Sequence, residues 1–331
     1  MLNSPVTNLE EKISQVISDI DWLFNSPQLI KEEELSFTPV TTSGWLSEVQ
    51  KNPEKLIQFL STKNLKMLGT YFESLWEFCL MHSPDMTLVA QNLQVRDEKL
   101  TLGEFDFIYR DSHFARDVHL EVAVKYYLAV GDFLVDYGGK SNLNYQTKMS
   151  DWVGPNVNDR LDIKFEKLVK KQTQLSELPA GRRRLRELGI EQVKKEACLL
   201  GYLFYPEDYF SGNLKLDAPK EVNPLHFKGC WLPVDRLVKY LEQAQEWSIL
   251  EKPFWLSPLR KATGTLCNST IKSRDSIYSE VERIIFSQNR PVLIAPLEKF
   301  NDSNGETAYQ SGRPTFIVPN DWRQKACDAL G

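Results

Sequence analysis

Residues 103–125 read GEFDFIYRDSHFARDVHLEVAVK. A strand is predicted over Lys99–Arg110, with Leu100, Leu102, Glu104, Asp106 and Ile108 on one face, because successive side chains alternate across a sheet. From Val118 to Val130 the chain continues VHLEVAVKYYLAV, β-branched and aromatic with few breakers, which predicts a central strand. On it Glu121, Ala123 and Lys125 share a face. A carboxylate and an ammonium on a buried strand are costly unless paired with each other or with a metal ion. Two readings of these residues stand side by side. One is a structural ion pair of Glu121 with Lys125 or Arg110; the other is a metal site joined by Glu104 and Asp106 from the neighbouring strand.

Working outward, Leu9–Phe24 carries apolar residues at helical period and ends at Asn25-Ser26-Pro27. A short helix is predicted over Pro53–Leu60 with proline in its first turn, and a stronger one over Leu68–Leu80, which carries Glu73. Leu88–Val95 reads as a strand before residue 99. Beyond the central strand, Ser141–Pro155 reads as loop, Asp159–Leu175 as helix with Gln172 on its buried side, and Ala197–Tyr205 as strand. The remainder mixes predicted strands (Cys230–Leu232, Phe254–Leu256, Val292–Ala295, Thr315–Val318) with helices (Val234–Leu241, Ile277–Phe286, Asp321–Leu330). This order predicts an α/β (α+β) protein with a mixed central sheet flanked by helices. The boundaries expected are an N-terminal helical segment over 1–64, a core over 65–205 and a mixed C-terminal extension over 206–331.

The chain has 331 residues, 42% hydrophobic and 26% charged, which is ordinary globular usage and excludes fibrous and disordered classes. No apolar run approaches the ~18–20 residues of a spanning helix, and the opening residues lack the pattern of a signal peptide. Five scattered cysteines without C-x-x-C fit reduced thiols in the cytoplasm better than a disulfide framework or structural zinc. His113, His119 and the pair His226/Cys230 lack further ligands at metal spacing. Phosphate-loop, Rossmann and serine-hydrolase motifs do not occur.

Three or four carboxylates drawn from two strands and a helix suit a hard divalent cation, since Mg²⁺ takes oxygen ligands from one or two carboxylates plus waters. Gly-Glu-Phe-Asp-Phe-Ile, followed some fifteen positions later by a strand bearing Glu and Lys, resembles the core of the PD-(D/E)XK nuclease superfamily. The wider chain resembles an uncharacterised bacterial family placed in it, which shares W-x-G-P-N-x-x-D-R-L-D (Trp152–Asp162) and F-x-V-P-x-x-W (Phe316–Trp322). The resemblance implies a restriction-endonuclease-like fold with Glu73, Asp106 and Glu121 holding Mg²⁺ (or Mn²⁺) and Lys125 beside the attacked phosphate. It further implies phosphodiester hydrolysis of nucleic acid, DNA in the first instance. In the superfamily the lysine stands two residues after the glutamate, where this chain has Ala123. At about 3.3 Å per residue, Lys125 has its Cα about 13 Å from Glu121 rather than about 7 Å. Lys164 on the following helix is a second candidate for that role, behind Lys125. The alternative is a catalytically inactive member of the fold that binds nucleic acid or a protein partner.

Charge is uneven. Between Lys164 and Lys195 stand ten basic and four acidic residues, a window of +6 in a chain of −5, so the rest carries −11. Arg160, Lys164, Lys167 and Lys171 fall at helical spacing, and Arg182, Arg183 and Arg184 follow. Such a window suits phosphate contact or a solvated helix face. Asp159, Arg160 and Asp162 also read as a salt-bridged helix start, with Asn158 or Asp159 as cap.

Overall fold

The computed structural model describes residues 13–38, 44–131, 144–262, 271–301, 305 and 307–329. Helix α1 spans Ile13–Asn25; the predicted start at Leu9 lies outside the described residues. Helix α2 (Glu54–Ser61) follows Pro53, and α3 covers Leu68–His82. Strands β1 (Met86–Asp97), β2 (Leu100–Asp111) and β3 (Arg116–Ala129) come next. Then follow α4 (Leu161–Lys167), α5 (Pro179–Arg186) and β4 (Lys194–Pro206). The rest holds β5 (Phe227–Pro233), β6 (Glu246–Ile249), α6 (Arg274–Gln288), β7 (Val292–Asn301), β8 (Thr307–Ser311), β9 (Thr315–Val318) and α7 (Trp322–Asp328), with shorter pieces between. The architecture is a large mixed sheet flanked by helices, as the element order predicted.

Backbone contacts divide the chain into two compact units of three segments each: Met1–Ile13, Leu23–Val124 and Ile163–Leu200; and Ser14–Trp22, Lys125–Asp162 and Gly201–Gly331. The division falls inside β3 and inside β4.

In the first unit β1, β2 and β3 form an antiparallel meander. The β2–β3 turn is closed by the Phe114 N–H donating to Asp111 Oδ1 at 3.2 Å, a side-chain turn that suits aspartate. Helix α3 is buried along most of its length, Tyr71, Phe72, Leu75, Trp76, Cys79 and Leu80 being fully enclosed. Each such Leu or Phe contributes about 1.5–3 kcal/mol by leaving water. Val95, Phe105, Ile108, Leu175, Ala180, Leu185 and Ile190 form one apolar cluster joining β1 and β2 to α5.

In the second unit β4, β5 and β9 run parallel, and β7 lies antiparallel to β9, β8 and β6. Its core joins Leu237, Ile277, Val281, Ile294 and Ile317. Gly201 has φ +141°, and a Cβ there would meet the Lys125 carbonyl oxygen at 1.8 Å, so only glycine admits this approach of β3 and β4.

Four expectations are corrected. Phe254–Leu256 is not a strand: Pro253 and Pro258 on either side lack N–H groups for a ladder, and Trp255 is held by side-chain contacts, its Nε1 donating to the Leu250 carbonyl at 2.7 Å. Ser141–Pro155 is not wholly loop, since Asn144–Gln146 and Trp152–Val153 pair as short strands; residues 141–143 lie outside the described residues. The helix expected over Asp159–Leu175 is regular only through Lys167 and passes into a π turn over Leu168–Gln172. Strict alternation on β2 breaks, because Phe105 and Ile108 pack into the same cluster. Cys79, Cys198, Cys230 and Cys327 are free thiols, and Cys267 lies outside the described residues. Among the described residues no helix is long and apolar enough to cross a membrane.

Candidate metal and phosphate site

The β2–β3 ladder is paired from Asp111–Arg116 to Phe107–Leu120 and then opens. In the fork beyond, Asp106 and Glu121 take over the bonding. Asp106 Oδ2 accepts the Val122 N–H at 2.9 Å, and the Asp106 and Glu121 carboxyl groups stand near enough to act on each other's titration. Two buried carboxyl groups side by side disfavour ionising together. Burial raises Asp106 to about 7, with the charge of Glu121 next in effect. Burial likewise raises Glu121 to about 7, against the hydrogen bonds it receives.

Glu73 is half-buried on an otherwise enclosed stretch of α3. It rises to about 7 through burial first, then through the charges of Asp106 and Glu104. Helix and hairpin thus bring Glu73, Asp106 and Glu121 into one electrostatic cluster, with Glu104 at its exposed margin. Among the described residues the cation that acts on all three is Lys164, which lowers each. Its ammonium donates to Gln172 Oε1 at 3.0 Å, and Gln172 Nε2 donates to Glu121 Oε2 at 2.5 Å.

The π turn places Gln172. The Thr173 N–H reaches back to the Leu168 carbonyl at 3.0 Å, and the Thr173 hydroxyl donates to the same oxygen at 3.0 Å. Single π turns concentrate at functional sites because they re-aim one side chain without ending the helix. On the other side of Glu121 stands His119, whose Nε2 lies 2.8 Å from Oε1. Burial lowers His119 to about 4, so the imidazole is neutral at pH 7. His119 shares the strand face of Glu121 and Gln172 lies on a buried helix side, as the strand and helix periods predict, but neither period assigns them a partner.

Neither partner considered for a structural ion pair with Glu121 takes it. Lys125 donates to Asp159 Oδ2 at 2.6 Å, and Arg110 donates to Asp117 at 3.0 Å. Arg160 grips Asp162 through two bonds of 2.7 and 2.8 Å, the salt-bridged helix start foreseen for that segment. In the basic window Arg182 pairs with Glu177, Arg183 with Asp97, Arg184 with Glu187 and Arg186 with Glu191, all near the surface. Lys167 and Lys171 are exposed. Ion pairs in such positions are worth about 0–1 kcal/mol each, so a phosphate chain can displace them.

Among the described residues no three His, Cys, Asp or Glu side chains are grouped closely enough to form a complete metal cage. Mg²⁺ does not require one, since it binds through one or two carboxylates and keeps several waters. The Asp106–Glu121 pair, short of one cation's worth of charge, fits that donor set.

In the second unit a cavity of about 300 Å³ opens at the carboxyl ends of β4, β5 and β9, with Asp208, Trp231, Arg236 and Arg323 in its wall. Asp208 and Arg236 pair across 2.7 Å, and the wall favours neither sign of charge.

Fold and cluster together define a mixed α/β protein with a buried acidic fork at the opening of an antiparallel meander. The chain belongs to the family described as a domain of unknown function, DUF1853, which matches residues 18–318. Comparison with curated proteins and with solved structures gives no match.

Proposed function

We propose that the protein is a metal-dependent phosphodiesterase of the PD-(D/E)XK type acting on nucleic acid, DNA in the first instance. The observation that carries this reading is the meeting of Asp106, Glu121 and Glu73 in one acidic cluster, with Lys164 tied to Glu121 through Gln172. Asp106 and Glu121 would hold Mg²⁺ or Mn²⁺, with Glu73 acting through water. When bound, the cation supplies an acidified water and neutralises charge on the phosphate oxygens.

The remaining work belongs to the chain. Asp106 and Glu121, both raised by burial, would have to be ionised to hold the cation. Gln172 tethers the Lys164 ammonium 3.0 Å from its amide oxygen, beside the cluster, where it can meet a phosphate oxygen. That role falls to Lys164 rather than to Lys125, which Asp159 holds. Lys167, Lys171 and the arginines of α5 would carry the nucleic-acid backbone, because phosphate contacts supply most sequence-independent affinity.

The experiment is a titration of Mg²⁺ and Mn²⁺ against the full chain, with nicking of plasmid and cleavage of single strands as readouts. Metal binding with cleavage that Asp106→Asn abolishes is expected. Binding of neither metal and no cleavage would overturn the reading and leave a non-catalytic binder of nucleic acid or protein.

A further inference from the structure

We infer that His119 is a positioning residue that fixes the carboxylate of Glu121, an inference that rests on the metal-dependent reading above. The imidazole is fully buried. Its Nε2 lies 2.8 Å from Glu121 Oε1. The Phe105 ring stands edge-on to it, with centroids 4.5 Å apart and planes at 74°, which sets the tilt of the imidazole. The second nitrogen, Nδ1, is buried with no hydrogen-bond partner.

That asymmetry assigns the tautomer. A buried N–H without an acceptor forfeits a full hydrogen bond, so the hydrogen sits on Nε2, where Glu121 accepts it. The ring therefore makes a single polar bond in the fold, to a proposed metal ligand. For packing alone, an apolar side chain of similar size would serve better, since it would bury no unpaired nitrogen.

Glu121 is thus held at both oxygens, by His119 at Oε1 and by Gln172 at Oε2. A carboxylate has about four lone-pair directions, and a bond at each oxygen fixes the plane of the group and so the direction from which a cation can approach. Hydrogen-bond partners of metal ligands act in this way, and their loss typically weakens metal affinity or activity by about 10–100-fold.

The test uses the full chain with Mn²⁺ alone as probe, binding being read by electron paramagnetic resonance and calorimetry. His119→Gln carries an amide nitrogen near the place of the imidazole Nε2; His119→Leu fills the volume without a donor. His119→Leu is expected to bind Mn²⁺ about 10–100-fold more weakly than wild type, and His119→Gln to restore most of that loss. His119→Asn has a shorter amide that falls short of Glu121, so it should behave like His119→Leu and replaces it should the leucine variant not fold. Wild-type Mn²⁺ affinity in the donor-less variants would overturn the inference while leaving the metal site standing. Absence of Mn²⁺ binding in the wild-type chain would overturn the metal reading itself, and this inference with it.

Discussion

Lys125 and Asp159 form an ion pair at 2.6 Å in which each side chain is about one-third exposed. The Tyr127 hydroxyl also reaches Asp159, at 3.4 Å. The lysine nearest in sequence to the expected catalytic position is therefore committed elsewhere, and Lys164 is the ammonium that acts on the carboxylate cluster.

The two lysines should separate in a kinetic comparison. Lys164→Ala is expected to lower kcat by about 10²–10³, the usual effect of removing one electrostatic donor from a transition state. Lys125→Ala should leave cleavage near wild type and cost at most about 1 kcal/mol of stability, as for exposed ion pairs. Plasmid nicking and chemical denaturation of both variants check this, and the reverse ranking would restore Lys125 to the site.

Asp106→Asn should remove metal binding and at the same time stabilise the metal-free chain at pH 8, by at most about 4 kcal/mol for a rise from 3.8 to about 7 at 1.36 kcal/mol per pKa unit. The amide oxygen can still accept the Val122 N–H, while the buried negative charge disappears. Thermal melts with and without Mn²⁺ read both effects. A variant less stable than wild type at pH 8 would mean that the carboxylate serves the fold.

Stability should fall with rising pH across the range in which the cluster ionises. Asp106 and Glu121 stand at about 7 in the folded chain against ordinary values of 3.8 and 4.5. Between about pH 4 and 7 the folded state holds protons that the unfolded state has released, so the free energy of unfolding decreases as pH rises and levels off above. Metal binding must expel those protons, so Mn²⁺ affinity should climb between about pH 6 and 8. Denaturation and calorimetry across that range test both slopes.

Binding to duplex DNA should weaken steeply with salt, and Lys167→Ala with Lys171→Ala should flatten the dependence by about 0.9 per lysine in the log–log slope. Fluorescence anisotropy at several salt concentrations reads the slope directly. A slope unchanged by the double substitution would mean that both lysines face solvent only.

Much of the fold was legible because its strands announce themselves locally. β1, β2 and β3 lie where their β-branched and aromatic runs predict them, and α3 follows its apolar stripe. The π turn escaped because it depends on a hydroxyl, that of Thr173, bonding back to Leu168 within a segment that otherwise keeps helical spacing. Gln172 escaped for another reason: its partner Glu121 lies 51 residues away, a pairing that no local pattern encodes. Strand burial brought Glu121, Glu104 and Asp106 forward together, and the choice of Glu73, Asp106 and Glu121 came from the resemblance, whereas the pairing of Lys125 with Asp159 rests on a tertiary contact that no local pattern encodes.

A π turn holds one residue more than an α-helical turn, and each helical residue advances the side chains by about 100°. Deleting a single residue within Leu168–Gln172 would regularise the backbone ladder and swing the downstream amide out of reach of both its partners. Such a shortened chain would lose the link that Gln172 makes between Lys164 and Glu121. The irregularity is therefore the clasp between ammonium and carboxylate, which a straight helix would leave undone.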